Sequence, residues 1–310
     1  EVAKTDARIL DDDAPTEARA KLAARLRALD LGADEVAVRD ALEAVLAIGD
    51  DRDRPREVLF EAWRRYFAAN SRVAPLVLIV EDLHWADDGV LAFLDFLARW
   101  GEGPMFMLCL ARHELLEEHP SWGDGLRNSS VIELQPLVDD EASELMQGLL
   151  DGGVPSVLGE RITALTEGNP LFAEEMVRML VDRGTLRFSA GRWQLARPVD
   201  EVEIPTSVQA VLAARLDALP QNEKRVAQDA AVIGRIFWDQ LVAHIARDEV
   251  SKTTDRLQRL RVKDLVVPRE PSSLAGASEY GFRHVLIRDV AYESLPKRDR
   301  AVLHLSLIHI

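Results

Sequence analysis

Apolar residues recur at helical spacing through the N-terminal part of the chain. Ala18, Leu22, Leu26 and Leu29 fall on one face, and Val58, Ala62, Tyr66 and Ala69 on another. Gly49-Asp50-Asp51-Arg52-Asp53-Arg54-Pro55 is rich in charge and turn formers and is expected to loop between those helices. At Pro75 the period changes. Leu76-Val77-Leu78-Ile79-Val80 is an unbroken leucine and β-branched run, which predicts a short strand buried on both faces. Glu81-Asp82 ends it, and a helix is predicted next, capped by Asp87 or Asp88 with Leu91, Leu94 and Leu97 inward. A second buried strand is predicted from Met105 to Ala111 and a shorter third from Val131 to Leu134. Strands that alternate with helices argue for a parallel α/β sheet.

Beyond Pro136 the pattern is helical, with helices expected over 139–150 and 157–166 and a third opening at Asn169-Pro170, asparagine as cap and proline in the first turn. Leu186 to Leu195, with Ser189-Ala190-Gly191 in its middle, is expected to be a hairpin, and helices resume at Ser207 and Asn222. From Asn222 the predicted order is three helices (222–232, 237–246, 250–262), a strand at Leu265-Val266-Val267, a loop from Pro268 to Ser278 and a strand at Tyr280-Gly281-Phe282. That order is the one a winged helix would give. The chain shows no internal repeat and no low-complexity segment.

Composition narrows the function classes. Hydrophobic residues make up 47% of the 310 positions, enough for a buried core, which excludes wholesale disorder. No apolar run approaches the ~20 residues a bilayer span needs, and no signal peptide is recognisable. Acids outnumber bases 53 to 38, a net charge of −15, which disfavours general nucleic-acid binding. Lys252 to Lys263, with Arg256, Arg259 and Arg261, is a local exception; a solvated helix face is the favoured reading over a groove-binding helix. The single cysteine, Cys109, lies in an apolar run and is expected to be a core side chain; a lone thiol forms no internal disulfide, which fits a cytoplasmic protein.

The candidate chemistry begins at Glu81-Asp82. Acids at the carboxyl end of a buried parallel strand stand where open α/β sheets bind ligands. One carboxylate there can hold magnesium while its neighbour orients or deprotonates water; equally, two acids can simply end a strand. His84 and Trp85 are expected to pack the following loop. The remaining histidines (113, 119, 244, 304 and 309) form no metal-ligand spacing.

Val80-Glu81-Asp82-Leu83-His84-Trp85-Ala86-Asp87 resembles the Walker B segment of AAA-type signalling ATPases of the STAND class, as found in bacterial adenylate/guanylate cyclase-like proteins and large LuxR-type transcription regulators. Leu110-Ala111-Arg112 resembles the family's sensor strand, Glu167-Gly168-Asn169-Pro170-Leu171-Phe172 its Gly-x-Pro segment, and Ile204 to Asp217 the next helix. Ala230 to Phe237 resembles the entry to the winged-helix domain, and Phe282-Arg283-His284 through Leu295 its end. The likeness runs from Val58 to His304; Trp100 and Pro120-Ser121-Trp122-Gly123 point toward the cyclase-type members.

What the resemblance implies is an ATP-operated regulatory switch with Mg2+. Glu81 and Asp82 would serve magnesium and water, Arg112 the phosphates, and Gly168, Asn169 and Pro170 the nucleotide, with Pro170 against the adenine. His284 would reach the β-phosphate; its other reading is a cap for the helix that runs to Ser294. The implied fold is α/β: a partial P-loop NTPase parallel sheet over 1–137, an all-helical lid segment over 138–220, and a winged-helix-like domain over 221–304. The implied partners are an attached cyclase or DNA-binding output domain, helical repeats and self-association, with neither membrane nor nucleic acid bound by this segment.

Two departures stand out. The family's phosphate loop, Gly-x-x-x-x-Gly-Lys-Ser/Thr, has no counterpart, since no glycine is followed by lysine. The resemblance places that loop upstream of residue 1, so the chain is read as truncated and inactive as an ATPase by itself. A degenerate module acting as a non-catalytic scaffold, and a DNA-binding winged helix, are the alternatives. The second departure is the apolar end Leu305-Ser306-Leu307-Ile308-His309-Ile310, which resembles translated adapter sequence and is set apart as a doubtful tail.

Overall fold

The helical spacing of the N-terminal part closes into four helices, α1 (Val2–Ala7), α2 (Pro15–Ala28), α3 (Glu35–Val45) and α4 (Arg56–Val73). The computed structural model describes residues 2–49, 54–150, 152–196, 198, 202 and 205–307. Residues 50–53 of the expected loop, Ile204 of the segment matched to the family, and 308–310 of the tail lie outside these. Two compact units divide the chain, Glu1–Ile132 and Glu133–Ile310.

In the first unit Leu22, Leu26, Val38, Leu42, Ala62, Tyr66 and Leu97 form a buried core. A polar tie crosses it: the Tyr66 hydroxyl donates to Asp6, which also accepts from Arg25 Nε at 2.8 Å, while Arg25 Nη2 donates to Asn70 at 2.6 Å. Three helices are thereby joined through one carboxylate. The extended residue Ala74 precedes Pro75 and ends α4, because a residue before proline is pushed out of helical geometry. Then come β1 (Leu76–Val80), α5 (Asp88–Trp100), β2 (Met105–Cys109) and the short α6 (Glu114–Glu118). Asp87 is the cap of α5, its carboxylate accepting from Val90 N at 2.9 Å.

β1 and β2 pair in parallel, Leu76 opposite Met105 and Val80 opposite Cys109. Their side chains alternate. Leu76, Leu78 and Met105 turn to the helices, and Val80, Met107 and Cys109 pack around Leu83, Leu91, Leu94 and Leu115. Val77, Ile79, Phe106 and Leu108 are instead 59%, 58%, 60% and 40% exposed. The expectation of strands buried on both faces is therefore corrected: the described residues cover one face. Cys109 is half-buried, and burial raises its thiol pKa. The expected third strand is also corrected. Val131, Ile132 and Leu134 are 81%, 81% and 89% exposed and adopt no strand geometry, since neither β1 nor β2 pairs with them and an unpaired short strand has nothing to hold it.

The second unit opens with α7 (Asp139–Leu149), α8 (Ser156–Thr166) and α9 (Pro170–Asp182), then the antiparallel hairpin β3 (Leu186–Ser189) and β4 (Arg192–Leu195), then α10 (Val208–Asp217). Leu158, Ile162, Met176, Leu180 and Val211 are among its core residues. There follow α11 (Gln221–Ile233), β5 (Ile236–Trp238), α12 (Asp239–Ala246), α13 (Val250–Val262), β6 (Val266–Arg269), β7 (Glu279–Phe282), α14 (Val285–Glu293) and α15 (Lys297–Leu307). The three strands pair antiparallel in the order β5-β7-β6, which leaves Pro268 on an edge strand, where its missing N–H is tolerated. β5 is an addition to the predicted order. Its three residues are too few for a period-two signal, yet Phe237 is fully buried and stacks on Tyr280 at 6.1 Å. Helix α10 joins the two cores: Val211 belongs to the first, while Leu212 and Leu216 belong to the second with Leu257, Leu260 and Phe282.

Asp229 on α11 is fully buried, with Arg225 Nε 3.0 Å from its Oδ1. Burial pushes its pKa up to about 6, and the arginine offsets only part of that. The native state therefore keeps a proton that the unfolded chain releases near 3.8, so this carboxyl's contribution is complete below that value and is lost as pH rises through 6. Asp229→Asn is expected to reduce the loss of unfolding free energy between pH 4.5 and 7.5, on the order of 1–3 kcal/mol, in paired denaturant titrations. Equal pH dependence in the two proteins would show that the carboxyl titrates normally.

Candidate functional site

The chain leaves β1 through Glu81 and Asp82, and the parallel register puts that exit beside the end of β2. Leu110 N–H donates to Val80 O at 2.8 Å and Leu83 N–H donates to Leu110 O at 3.0 Å, so the two strands stay clamped one residue beyond their ends. Between those bonds the backbone reverses at Asp82, whose φ of 55° and ψ of 35° are left-handed. Aspartate is among the few side chains that tolerate this region. A single turn, Leu83–Trp85, follows, and the burial of Leu83 against Leu91, Leu94 and Leu115 anchors it. Glu81 is exposed and Asp82 half-buried at the strand end.

Arg112 belongs to the same corner. Its backbone N–H donates to His84 Nδ1 at 3.4 Å, and its guanidinium carbon lies 6.0 Å from the Trp85 ring centroid. His84 and Trp85 pack on each other with ring centroids 4.8 Å apart. The loop after the acids thus holds the arginine through one hydrogen bond and one cation–π contact. His84 Nε2 is buried without a hydrogen-bond partner, the other nitrogen being committed to the Arg112 backbone. Farther along, Trp122 Nε1 donates to Leu91 O at 3.0 Å and pins the Pro120–Gly123 stretch to α5. Among the described residues no group of three or more His, Cys, Asp or Glu side chains is arranged to hold a metal ion.

Gly168, Asn169 and Pro170 lie in the second unit, at the turn into α9. Glu167 (φ 49°) and Gly168 (φ 74°) are both left-handed, and the Asn169 side chain accepts from Phe172 N at 3.1 Å as the cap, with Pro170 in the first turn. Gly168 has a structural duty of its own. Its carbonyl accepts from Leu137 N at 2.9 Å, and a Cβ placed on it would stand 2.4 Å from Leu137 O.

His284 occupies the cap position of α14 but makes no capping hydrogen bond. It is half-buried, and burial lowers its pKa, opposed by the carboxylates of Glu175 and Glu174 and reinforced by Arg283 and Arg178. Its surroundings are therefore the charged side of α9, the helix that Pro170 begins.

Four of the five cations of the basic stretch on α13 lie beside acids, and Arg261 Nη1 donates to Gln258 Oε1 at 3.4 Å. Lys252 pairs with Glu249 at 2.9 Å, Arg256 with Asp248 at 2.5 Å, and Lys263 with the buried Glu223 at 2.9 Å. Arg259 stands 3.7 Å from the same Glu223. Cations already paired to carboxylates are poor phosphate ligands.

Sequence reasoning missed a deeply buried ion pair of the second unit. Glu175 on α9 and Arg215 on α10 form an ion pair with side chains 1% and 2% exposed. The signal was present: Arg215 stands three and four residues after Leu212 and Val211, on the face of α10 that is otherwise apolar.

Gly168→Ala tests the geometric claim directly. Left-handed backbone and the collision with Leu137 both oppose a Cβ, and a loss of at least about 2 kcal/mol of unfolding free energy is expected from chemical denaturation. A loss below about half a kilocalorie would show that the turn relaxes without cost.

No family model matches the chain. A curated relative, Uncharacterized protein R02095 of Rhizobium meliloti (strain 1021), is 27% identical over 276 residues, which cover 84% of this chain but 24% of that protein. Among solved structures, a Signal Transduction ATPase with Numerous Domains (STAND) protein with a tetratricopeptide repeat sensor, PH0952 from Pyrococcus horikoshii, superposes with a TM-score of 0.54 over 96% of this chain and 38% of its own, at 12% identity. The chain thus spans about a quarter of its curated relative and well under half of its structural neighbour, and it shares the fold of a STAND protein.

Proposed function

We propose that the chain is part of a nucleotide-operated regulatory module, with Glu81 and Asp82 as its magnesium-site and water-orienting acids. One observation carries this reading: adjacent carboxylates at the carboxyl end of a parallel strand share a corner with an arginine held by the loop that follows them. The likeness to a STAND fold supports it, as does the order β5, α12, α13, β6, β7, which suits a winged helix.

The donor set fits the cation. Magnesium favours carboxylate oxygen and keeps several waters, so one or two acids suffice beside a substrate phosphate. When bound, magnesium with ATP would supply charge neutralisation at the transferred phosphoryl group. The chain's own residues do the rest. Glu81 or Asp82 orients a water and accepts its proton, while Arg112 offers guanidinium N–H groups to phosphate oxygens, steadied by His84 and Trp85. Gly168, Asn169 and Pro170 would contact the nucleotide and His284 its phosphates, as the same reading extends to the second unit. An attached cyclase or DNA-binding output domain and helical repeats are the proposed partners; the neighbour with a tetratricopeptide sensor supports the repeats. Among the described residues no helix is long and apolar enough to cross a membrane.

The test is Mg-ATP binding and turnover by this chain, beside a version extended at its N-terminus with the adjoining genomic sequence. Binding by the extended version is expected. In it, Glu81→Gln with Asp82→Asn should abolish the magnesium dependence of nucleotide binding while turnover falls by roughly 100-fold or more, the usual contribution of a general base. Failure of both versions to bind would establish the acids as structural and the protein as an interaction scaffold. Salt-sensitive retention on duplex DNA would instead support the winged helix as a DNA reader.

A further inference from the structure

Arg215 is the one residue of α10 whose side chain reaches three other places in the second unit at once. Nη1 donates to the buried Glu175 carboxylate, Nε donates to Asp182 Oδ2 at 3.1 Å, and Nη2 donates to the carbonyl of Lys263 at 2.6 Å. Glu175 and Asp182 lie on α9, and Lys263 caps the end of α13. Every nitrogen of the guanidinium is thus committed, in a setting where an unpaired charge would be intolerable.

A second arginine makes the same connection from the α9 side. Arg178 donates to Asp264, the left-handed residue after Lys263, and to Glu174 Oε1 at 2.5 Å. Asp264 is also 3.3 Å from Arg283 Nη1, next to His284. Both arginines therefore converge on Lys263-Asp264, one at its carbonyl and one at its carboxylate. Lys263 in turn reaches Glu223 of α11 at 2.9 Å.

The hydrophobic cores would not by themselves impose this link. Helix α9 is buried in the core that holds Leu158, Ile162 and Met176, whereas α13 is buried with Leu257, Leu260 and Phe282; α10 carries Val211 into the first and Leu212 and Leu216 into the second, and only its half-buried Val208 packs against both. Apolar packing is non-directional and lets two such bodies slide or open independently. Directional bonds from one buried guanidinium to both bodies do not.

We propose that the Glu175–Arg215–Lys263 connection, doubled by Arg178–Asp264, is a rigid joint that makes α9 and α13 move as one body. The turn Gly168-Asn169-Pro170 begins α9, so a displacement imposed there is carried to α13 and to the β6–β7 pair. The coupling itself does not depend on the nucleotide reading; only the identity of whatever acts at that turn rests on it.

Hydrogen exchange followed by mass spectrometry on the whole chain tests the joint. In the wild type, the slowest amides of α9 and α13 are expected to share one opening equilibrium. Arg215→Met with Glu175→Gln removes both buried charges together. In that variant α9 should exchange about tenfold or more faster than α13, and thermal unfolding should resolve two steps. Arg178→Gln with Asp264→Asn, at partly exposed positions, should give the same divergence more weakly, and it serves as the test if the first variant does not fold. The proposal is overturned if wild-type α9 and α13 already open separately. It is equally overturned if the variants accelerate both helices by the same factor, which is the mark of a merely stabilising pair. Unaltered ATP binding alongside altered coupling would leave the joint standing independently of the nucleotide site.

Discussion

An apolar strand with no charge in it can end only where the chain meets water, and in this protein two such strands end together. β1 and β2 pair in parallel with Val80 opposite Cys109, so the first polar residues after each strand come out at one corner. That corner holds Glu81, Asp82 and Arg112, and the clamp from Val80 O to Leu110 N and from Leu110 O to Leu83 N fixes their spacing on the backbone. Nothing in the acids themselves would bring an arginine from thirty positions away. The register does, because shifting β2 by one residue would turn Met105 and Met107 out of the core and Phe106 and Leu108 into it.

The second unit is organised by a different constraint, the cost of burying charge. Helix α10 presents Val211 to one core and Leu212 and Leu216 to the other, and Arg215 lies between them with no route to water. Such an arginine is tolerable only when its charge is paired and its nitrogens find acceptors, and here Glu175 and Asp182 of α9 and the Lys263 carbonyl at the end of α13 supply one to each. The local backbone accommodates this: Asp264 adopts φ 55°, which turns the carbonyl of Lys263 toward Arg215 and the Asp264 carboxylate toward Arg178 and Arg283. One left-handed turn thus serves three arginines.

Much of this is legible in the sequence alone. Continuous apolar runs marked β1 and β2, the Asn-Pro start marked α9, and Ser189-Ala190-Gly191 marked the hairpin, because each is a local signal written in a few neighbouring residues. What was not legible was non-local. Val131 to Leu134 has strand composition but lacks a pairing partner, and pairing is not encoded in the segment itself. β5 is three residues long and is held by Phe237 packing on Tyr280 and Phe282, residues more than forty positions away. The left-handed geometry of Asp82 follows from the clamp around it, and sequence shows the acids but not the turn. The pairing of the α13 cations with Glu223, Asp248 and Glu249 likewise depends on which acids the fold brings near.

The candidate corner also has a charge balance that constrains any anionic ligand. Glu81 and Asp82 bring two carboxylates to the corner that also holds Arg112, within a chain of net charge −15. At effective dielectrics typical of a protein surface, each unit-charge pair about 4 Å apart is worth roughly 4 kcal/mol. A carboxylate approached by a polyphosphate with no cation between them therefore repels it about as strongly as an arginine at the same distance attracts it. On the proposed reading, a divalent ion on these carboxylates would invert the sign of the field they present to phosphate. Nucleotide without the metal, and metal without the nucleotide, should both bind here far less tightly than the two together. The scaffold alternative makes no such demand, so it is the dependence of nucleotide affinity on magnesium, more than affinity alone, that separates the two readings.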